Sequence, residues 1–225
     1  MEILLPLLLL SVASSTAVQE AINLGGKVFI FPRTSSDSYV TLSPQLDKAL
    51  RNLTVCLRAY SDLNRPYSLF SLATQGNSND VLLFKEAGSA VFSVSIGGET
   101  VYYTVKETYP APRQYCFTWE SASGLVQLFL DGNPLVRKGL QKGYSVSRGA
   151  RIILGQDQDS WGGGFKEKKS FVGEIGDVFM WDSVLTLDQI RAVDSGGITS
   201  PNFLNWYEMT YEEKGSVVTA PHMWY

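Results

Sequence analysis

Histidine is almost missing: the only one in 225 residues is His222, three residues from the C-terminus. A Ser-His-Asp or Cys-His relay needs an imidazole among other reactive groups, so catalysis of that kind has little to be built from. Zinc sites of the His and Cys type fail for the same reason. Cysteine is scarce, with only Cys56 and Cys116. Charge is modest and nearly balanced, 19 Lys and Arg against 22 Asp and Glu, so the net charge of −3 gives no global preference for nucleic acid or anionic membranes. No low-complexity stretch or internal repeat divides the chain, and no second long apolar run follows the first. A two-carboxylate glycosidase would need facing acids, and the nearest candidates, Glu174 and Asp177, are three apart on a strand and so point to opposite faces. The chain reads as a binding protein and not as an enzyme.

What is present at the start sets the compartment. Residues 3–13 form a mostly apolar run that ends in Ser14, Ser15, Thr16 and Ala17 and turns polar at Gln19 and Glu20. That is the pattern of a secretory signal peptide, too short for a membrane span of about 20 residues. Residues 1–17 are expected to be a leader and 18–225 a single mature domain, secreted and extracellular, with no membrane span. In an exported chain an even cysteine count predicts a bridge, here Cys56 to Cys116, since both fall in strand-like runs able to pair as neighbours. Closing a loop of this length is worth about 4 kcal/mol on the chain-entropy model. Asn52-Leu53-Thr54 is the one N-glycosylation sequon, which makes Asn52 the expected glycan site.

The mature chain reads as β throughout. Runs rich in Val, Ile, Phe, Tyr and Thr at 28–31, 39–42, 53–60, 68–73, 81–84 and 125–130 alternate with Gly, Pro, Asn, Asp and Ser clusters. Phe92, Val94 and Ile96 alternate with Ser93 and Ser95, giving one buried and one wet face. The expected fold is all-β, a sandwich of two packed sheets. One short helix interrupts it: Thr186 with Gln189 three residues later forms a capping box, Leu187, Ile190 and Val193 share a side, and Gly196-Gly197 supplies the stop.

The stretch richest in possible ligands is Gly155-Gln156-Asp157-Gln158-Asp159-Ser160-Trp161-Gly162-Gly163-Gly164-Phe165. Oxygen-rich, glycine-rich loops suit Ca²⁺, which takes six to eight hard oxygen ligands in irregular geometry. An isolated Asp-x-Asp is more often a solvated turn. Residues 131–170 hold eight Lys or Arg against four acids, a local excess suited to phosphates or sulfated glycans, or simply to solvated loops.

Cys116-Phe117-Thr118-Trp119-Glu120-Ser121 resembles the pentraxin signature H-x-C-x-[ST]-W-x-[ST], with Gln114 in place of the first His. Stretches 27–33, 58–62, 65–71, 154–163, 171–177 and 180–184 are similar as well, so the resemblance spans the mature chain. It implies a lectin-like jelly roll assembled as a cyclic pentamer, with paired Ca²⁺ on one face and the helix on the other. It implies recognition of phosphocholine, phosphoethanolamine or anionic carbohydrate, in innate immunity and the acute phase, with complement and Fc receptors as partners of the helix face. A lectin-like adhesion module without metal dependence is the alternative.

Carried onto this sequence, the first Ca²⁺ site uses Asn79, Asp157, the carbonyl of Gln158, and Asp159. Ser78 stands where many members have Asp, and Asp157 where most have Glu, which shortens reach by a methylene. Asp80 is a lesser candidate, because it points away from Asn79 on an extended segment. Phe84 matches the apolar wall of the ligand pocket, where a phenyl face packs on choline methyls. Glu99 lies near an acidic position that faces the choline ammonium. At the second Ca²⁺ site the family pattern calls for a carboxylate after Phe165 and an amide oxygen three residues on. Lys166 and Lys169 stand there instead. An ammonium cannot ligate Ca²⁺, and one Lys roughly 6 Å from a divalent ion costs on the order of 5 kcal/mol at an effective dielectric near 20, before relaxation. The expectation is a first calcium site that remains usable, a lost second site, and Lys166 or Lys169 pairing with Asp157 or Asp159.

Overall fold

The computed structural model describes residues 20–88, 90–106, 110–197 and 200–224; the expected leader at 1–17 lies outside the described residues. In chain order the strands are β1 (Lys27–Phe31), β2 (Tyr39–Ser43), β3 (Asn52–Tyr60), β4 (Tyr67–Thr74), β5 (Asn77–Lys85), β6 (Val91–Ile96), β7 (Glu99–Thr104), β8 (Arg113–Glu120) and β9 (Leu125–Leu130). There follow β10 (Asn133–Pro134), β11 (Lys138–Gly139), β12 (Arg151–Leu154), β13 (Gly173–Trp181), α1 (Leu187–Asp194), β14 (Thr210–Lys214) and β15 (Val218–Pro221). They form two sheets, one ordered β10-β9-β8-β3-β13-β1-β15 with β11 also on β9, the other β14-β2-β12-β4-β5-β6-β7. Every pairing between them is antiparallel.

The core lies between the sheets. Leu53, Val55 and Leu57 of β3 alternate inward and meet Phe70, Leu72, Val81, Leu83, Phe92 and Val94 from the other sheet, all essentially without solvent contact. Trp119 and Trp206 are the largest buried side chains, and Trp119 Nε1 donates to the Leu140 carbonyl at 2.9 Å, so its one polar atom is satisfied. Cys56 and Cys116 face each other in the β3–β8 register and are bridged, with Cα atoms 4.1 Å apart. A cross-strand bridge of this kind follows from the sequence once the two runs pair.

The helix forms where the sequence places it. Thr186 accepts from the Gln189 amide and Gln189 Oε1 accepts from the Thr186 amide, completing the box, while Ile190 and Val193 are buried. Gly196, at φ +81°, provides the left-handed residue that ends it.

One boundary differs in a way that matters. The apolar run 81–84 suggests a strand beginning at Val81, yet β5 begins at Asn77. Thr74 pairs with Asn77 and Leu72 with Val81, so four steps on β5 face two on β4, and Ser78, Asn79 and Asp80 form a bulge. Bulges break alternation and re-aim side chains. The polar character of 77–80 hides the strand, and the bulge is what turns Asn79 toward the loop after β12.

Candidate functional site

The loop that follows β12 is built from its own amides. Gly155, at φ +82°, passes so close to Phe31 that a Cβ would lie 2.3 Å from the ring, so only glycine fits. Gln156 Nε2 donates to the Ser35 carbonyl at 2.7 Å. Gln158 is fully buried; its Nε2 donates to the carbonyls of Ser71 and Arg151, both at 3.0 Å, and its Oε1 accepts from the Gly162 amide at 2.8 Å. With the Gln158 side chain committed to the scaffold, only its backbone carbonyl is left for the role assigned to it. The loop then enters a single 3-10 turn at Glu167–Lys169, tied down by Arg65, whose Nη1 donates to the Ser170 carbonyl at 2.6 Å.

These constraints bring two carboxylates and two ammonium groups together. Lys169 Nζ donates to Asp157 Oδ2 at 2.5 Å and lies 3.4 Å from Asp159 Oδ1, while Lys166 Nζ sits 2.6 Å from Asp159 Oδ2. Two negative and two positive charges leave the cluster neutral. The Asp157 side chain is only 3% exposed, against 34% for Lys169 and 30% for Asp159. Burial on its own would raise the Asp159 carboxyl, but the Lys166 and Lys169 ammonium groups outweigh it and hold the carboxyl below its ordinary value. Burial likewise pulls Lys169 down, and Asp157 and Asp159 outweigh it and hold Lys169 above its ordinary value.

Calcium fits this arrangement in part. Asp157 Oδ1 and Asn79 Oδ1 are both buried with no hydrogen-bond partner, and both residues line the same depression, so two hard oxygens are available to a cation there. At the positions assigned to a second ion, Lys166 and Lys169 supply no oxygen, and their ammonium groups already neutralise Asp157 and Asp159. Among the described residues no group of three or more His, Cys, Asp or Glu side chains is arranged to hold a metal. The remaining candidates divide. Ser78 stays in the bulge, partly exposed. Asp80 is fully buried, and its oxygens accept from Thr74 Oγ1 and Tyr144 Oη, each at 2.7 Å, so it is committed to the interior and closed to a metal.

Beside the cluster is a depression of about 260 Å³ on the outer face of β5, β6 and β7. Its apolar wall is Leu82 and Phe84, which point away from the core that takes Val81 and Leu83. Ser93, Ser95, Thr100 and the half-exposed Tyr102 complete it, with Asn79, Asp157 and Lys169 at one end. Its other carboxylate is Glu86, which accepts from Ser93 Oγ at 2.5 Å. Glu99 is not among the lining residues: it starts β7 with the alternation of Val101 and Tyr103, which turn toward the core, while Thr100 and Tyr102 turn toward the depression. The lining residues absent from the sequence reading, Glu86 and Tyr102 above all, follow from counting in twos from Phe84 and from its cross-strand partner Ser93.

The basic excess at 131–170 is dispersed. Arg151 lies over the Trp161 ring at 5.0 Å, Lys138 donates to the Tyr102 carbonyl at 2.6 Å, and Arg137 donates to Gln127 at 3.2 Å. Glu174 and Asp177, the one carboxylate pair considered for glycoside hydrolysis, are engaged separately, Glu174 by Trp224 Nε1 at 2.8 Å and Asp177 by Arg58 at 3.6 Å.

Comparison with known proteins agrees with this architecture. C-reactive protein of Sus scrofa is 46% identical over 218 residues, covering 97% of this chain and 96% of its own length. Serum amyloid P-component of Homo sapiens is 47% identical over 220 residues, covering 97% and 98%. The native heptameric SAP-like pentraxin from Limulus polyphemus superposes with a TM-score of 0.82 at 25% identity, over 90% of this chain and 98% of that one. The profile described as the Pentaxin family matches residues 27–221. With its disulfide-bridged two-sheet jelly roll and this breadth of match, the chain belongs to the pentraxin family, whose members are recognition proteins of the C-reactive protein and serum amyloid P type and not enzymes.

Proposed function

We propose that this pentraxin is a secreted pattern-recognition protein of innate immunity that binds phosphorylated or anionic ligands in the depression over Phe84, with lysine ammonium groups standing where a second calcium ion would be. The observation that carries this reading is Lys169 held 2.5 Å from the buried Asp157 at the end of that depression. Phosphocholine and phosphoethanolamine suit it at both ends. Phe84 and Tyr102 offer aromatic surface to the amine or its methyls, Glu86 offers a carboxylate, and Lys169 and Lys166 offer donors to the phosphate. Acidic carbohydrate would use the same lysines and the row of hydroxyls. If one ion binds, Asn79, Asp157, the Gln158 carbonyl and Asp159 hold it, and a bound ion would supply positive charge to an anionic ligand.

The rest of the reading follows the family. Residues 1–17 are removed on export, Asn52 carries a glycan, copies of the chain close into a ring, a pentamer by resemblance, and the helix face meets complement and Fc receptors. Support for self-assembly comes from the heptameric Limulus relative, and support for an extracellular setting from the internal disulfide. No helix among the described residues is long and apolar enough to cross a membrane.

Phosphoethanolamine and phosphocholine matrices test the reading. The protein is expected to be retained with or without calcium, to stay bound when a chelator is added, and to elute with salt, because the attraction is carried by ammonium groups and not by a metal ion. Elution by chelator alone at low salt would contradict it.

A further inference from the structure

On the opposite side of the sandwich a groove of about 500 Å³ opens over the outer face of β8 and β9. Its floor holds Thr118, Glu120, Leu125 and Gln127, and its wall is the 184–187 segment that leads into α1. Thr54 anchors that wall: its Oγ1 donates to the Ser183 carbonyl at 2.7 Å and accepts from the Leu185 amide at 3.0 Å. Thr54 also stands opposite Thr118 in the β3–β8 register. Asn52 is the next residue on the same face, since residues two apart on a strand share a face. It stands opposite Glu120, which stands opposite Leu125. The sequon asparagine and the groove floor therefore share one outer face, with Thr54 buried beneath the 183–187 wall and the partly exposed Asn52 at the end of the floor.

Two of the apolar residues lining this groove, Leu125 and Val184, are 44% and 43% exposed. We infer that the first sugars of an N-glycan on Asn52 lie in this groove and cover Leu125 and Val184. The inference rests on the glycosylation named in the proposed function and adds where the glycan goes. An N-acetylglucosamine presents an acetyl methyl and a C–H ring face to the two apolar side chains, and amide and hydroxyl groups to Glu120 on the floor and to Arg137, which also lines the groove. The groove has the size of a small-ligand cleft, about 300–1,000 Å³. Order of events follows from burial: the Thr54 hydroxyl has no solvent contact in the folded chain, so attachment to the sequon precedes closure of 183–187 over β3.

The test uses protein secreted from a eukaryotic host. Intact mass before and after an amide-cleaving glycosidase establishes occupancy of Asn52. Hydroxyl-radical footprinting then compares the native glycoprotein, the enzymatically deglycosylated protein and Asn52→Gln from the same host. Labelling of Leu125 and Val184 is expected to rise several-fold when the glycan is absent, while Val218, 53% exposed at the far edge of the same sheet, stays constant. Enzymatic removal acts on folded protein, so that arm stands even where the variant fails to fold. Equal labelling of Leu125 and Val184 with and without the glycan overturns the covering and leaves glycosylation intact. An unmodified Asn52 overturns the inference at its premise.

Discussion

Asp80 and Asp157 are both buried carboxylates, 0% and 3% exposed, in segments that reach the same end of the sandwich, yet they are satisfied in opposite ways. Asp80 accepts from two neutral hydroxyls, Thr74 and Tyr144. Asp157 is held by one ammonium on Oδ2 and leaves Oδ1 without a partner. The difference separates a structural carboxylate from one in the proposed binding site: Asp80 stands among groups fixed by the fold, whereas Asp157 faces a depression and a lysine on a separate turn. A partly unsatisfied buried oxygen is where an added cation or ligand donor has something to gain.

Removing Asp80 is expected to have the largest effect. Asp80→Ala leaves the Tyr144 and Thr74 hydroxyls without their charged acceptor, a loss of about 3 kcal/mol by chemical denaturation, given 1.5–3 kcal/mol for each hydrogen bond to a charged group. Phosphoethanolamine retention by the fraction that remains folded should be unchanged, which separates the two carboxylates directly.

Lys166→Asp with Lys169→Gln returns oxygen ligands to the 3-10 turn and removes the ammonium groups from Asp157 and Asp159. Calcium at about 100 times its dissociation constant adds about 2.7 kcal/mol, so the melting temperature of this variant should rise by about 5–10 °C with calcium. The parent chain should rise by less than about 2 °C in millimolar calcium, on the same scaling.

The smallest effect is that of pH. Lys169 has a raised folded-state value, so the stability it contributes is complete below the ordinary lysine range and is lost as pH climbs through that raised value. Asp159 has a lowered value, so its contribution is present above the ordinary carboxylate range and is lost as pH falls through the lowered value. The pairs therefore persist between about pH 4 and 10. The contribution of these pairs to the stability of the parent chain should be flat from about pH 5 to 9, as read by chemical denaturation. Tyr144 adds a marker for the closed region: burial, then its bond to Asp80, pushes its hydroxyl up to about 12, which an ultraviolet phenolate titration would read.

How much of this was legible in the sequence varies with the physics involved. The strands, the helix with its capping box, and the Cys56–Cys116 bridge follow from periodicity, caps and an even cysteine count. That the two lysines at 166 and 169 stand at ligand positions came only from the resemblance to the pentraxin pattern, while their pairing with Asp157 and Asp159 needed only proximity. The bulge at 78–80 was not legible, because polar residues in a strand look like a loop. Glu86 and the groove beside Asn52 were hidden for a different reason: each depends on which residues face each other across strands, and register is a tertiary property.

Calcium calorimetry on the secreted protein decides whether the Lys166 and Lys169 ammonium groups stand in place of a second metal ion. At most one ion per chain is expected, bound more weakly than about millimolar, the range of the weakest extracellular calcium modules. Two ions per chain, each bound more tightly than that, would contradict it.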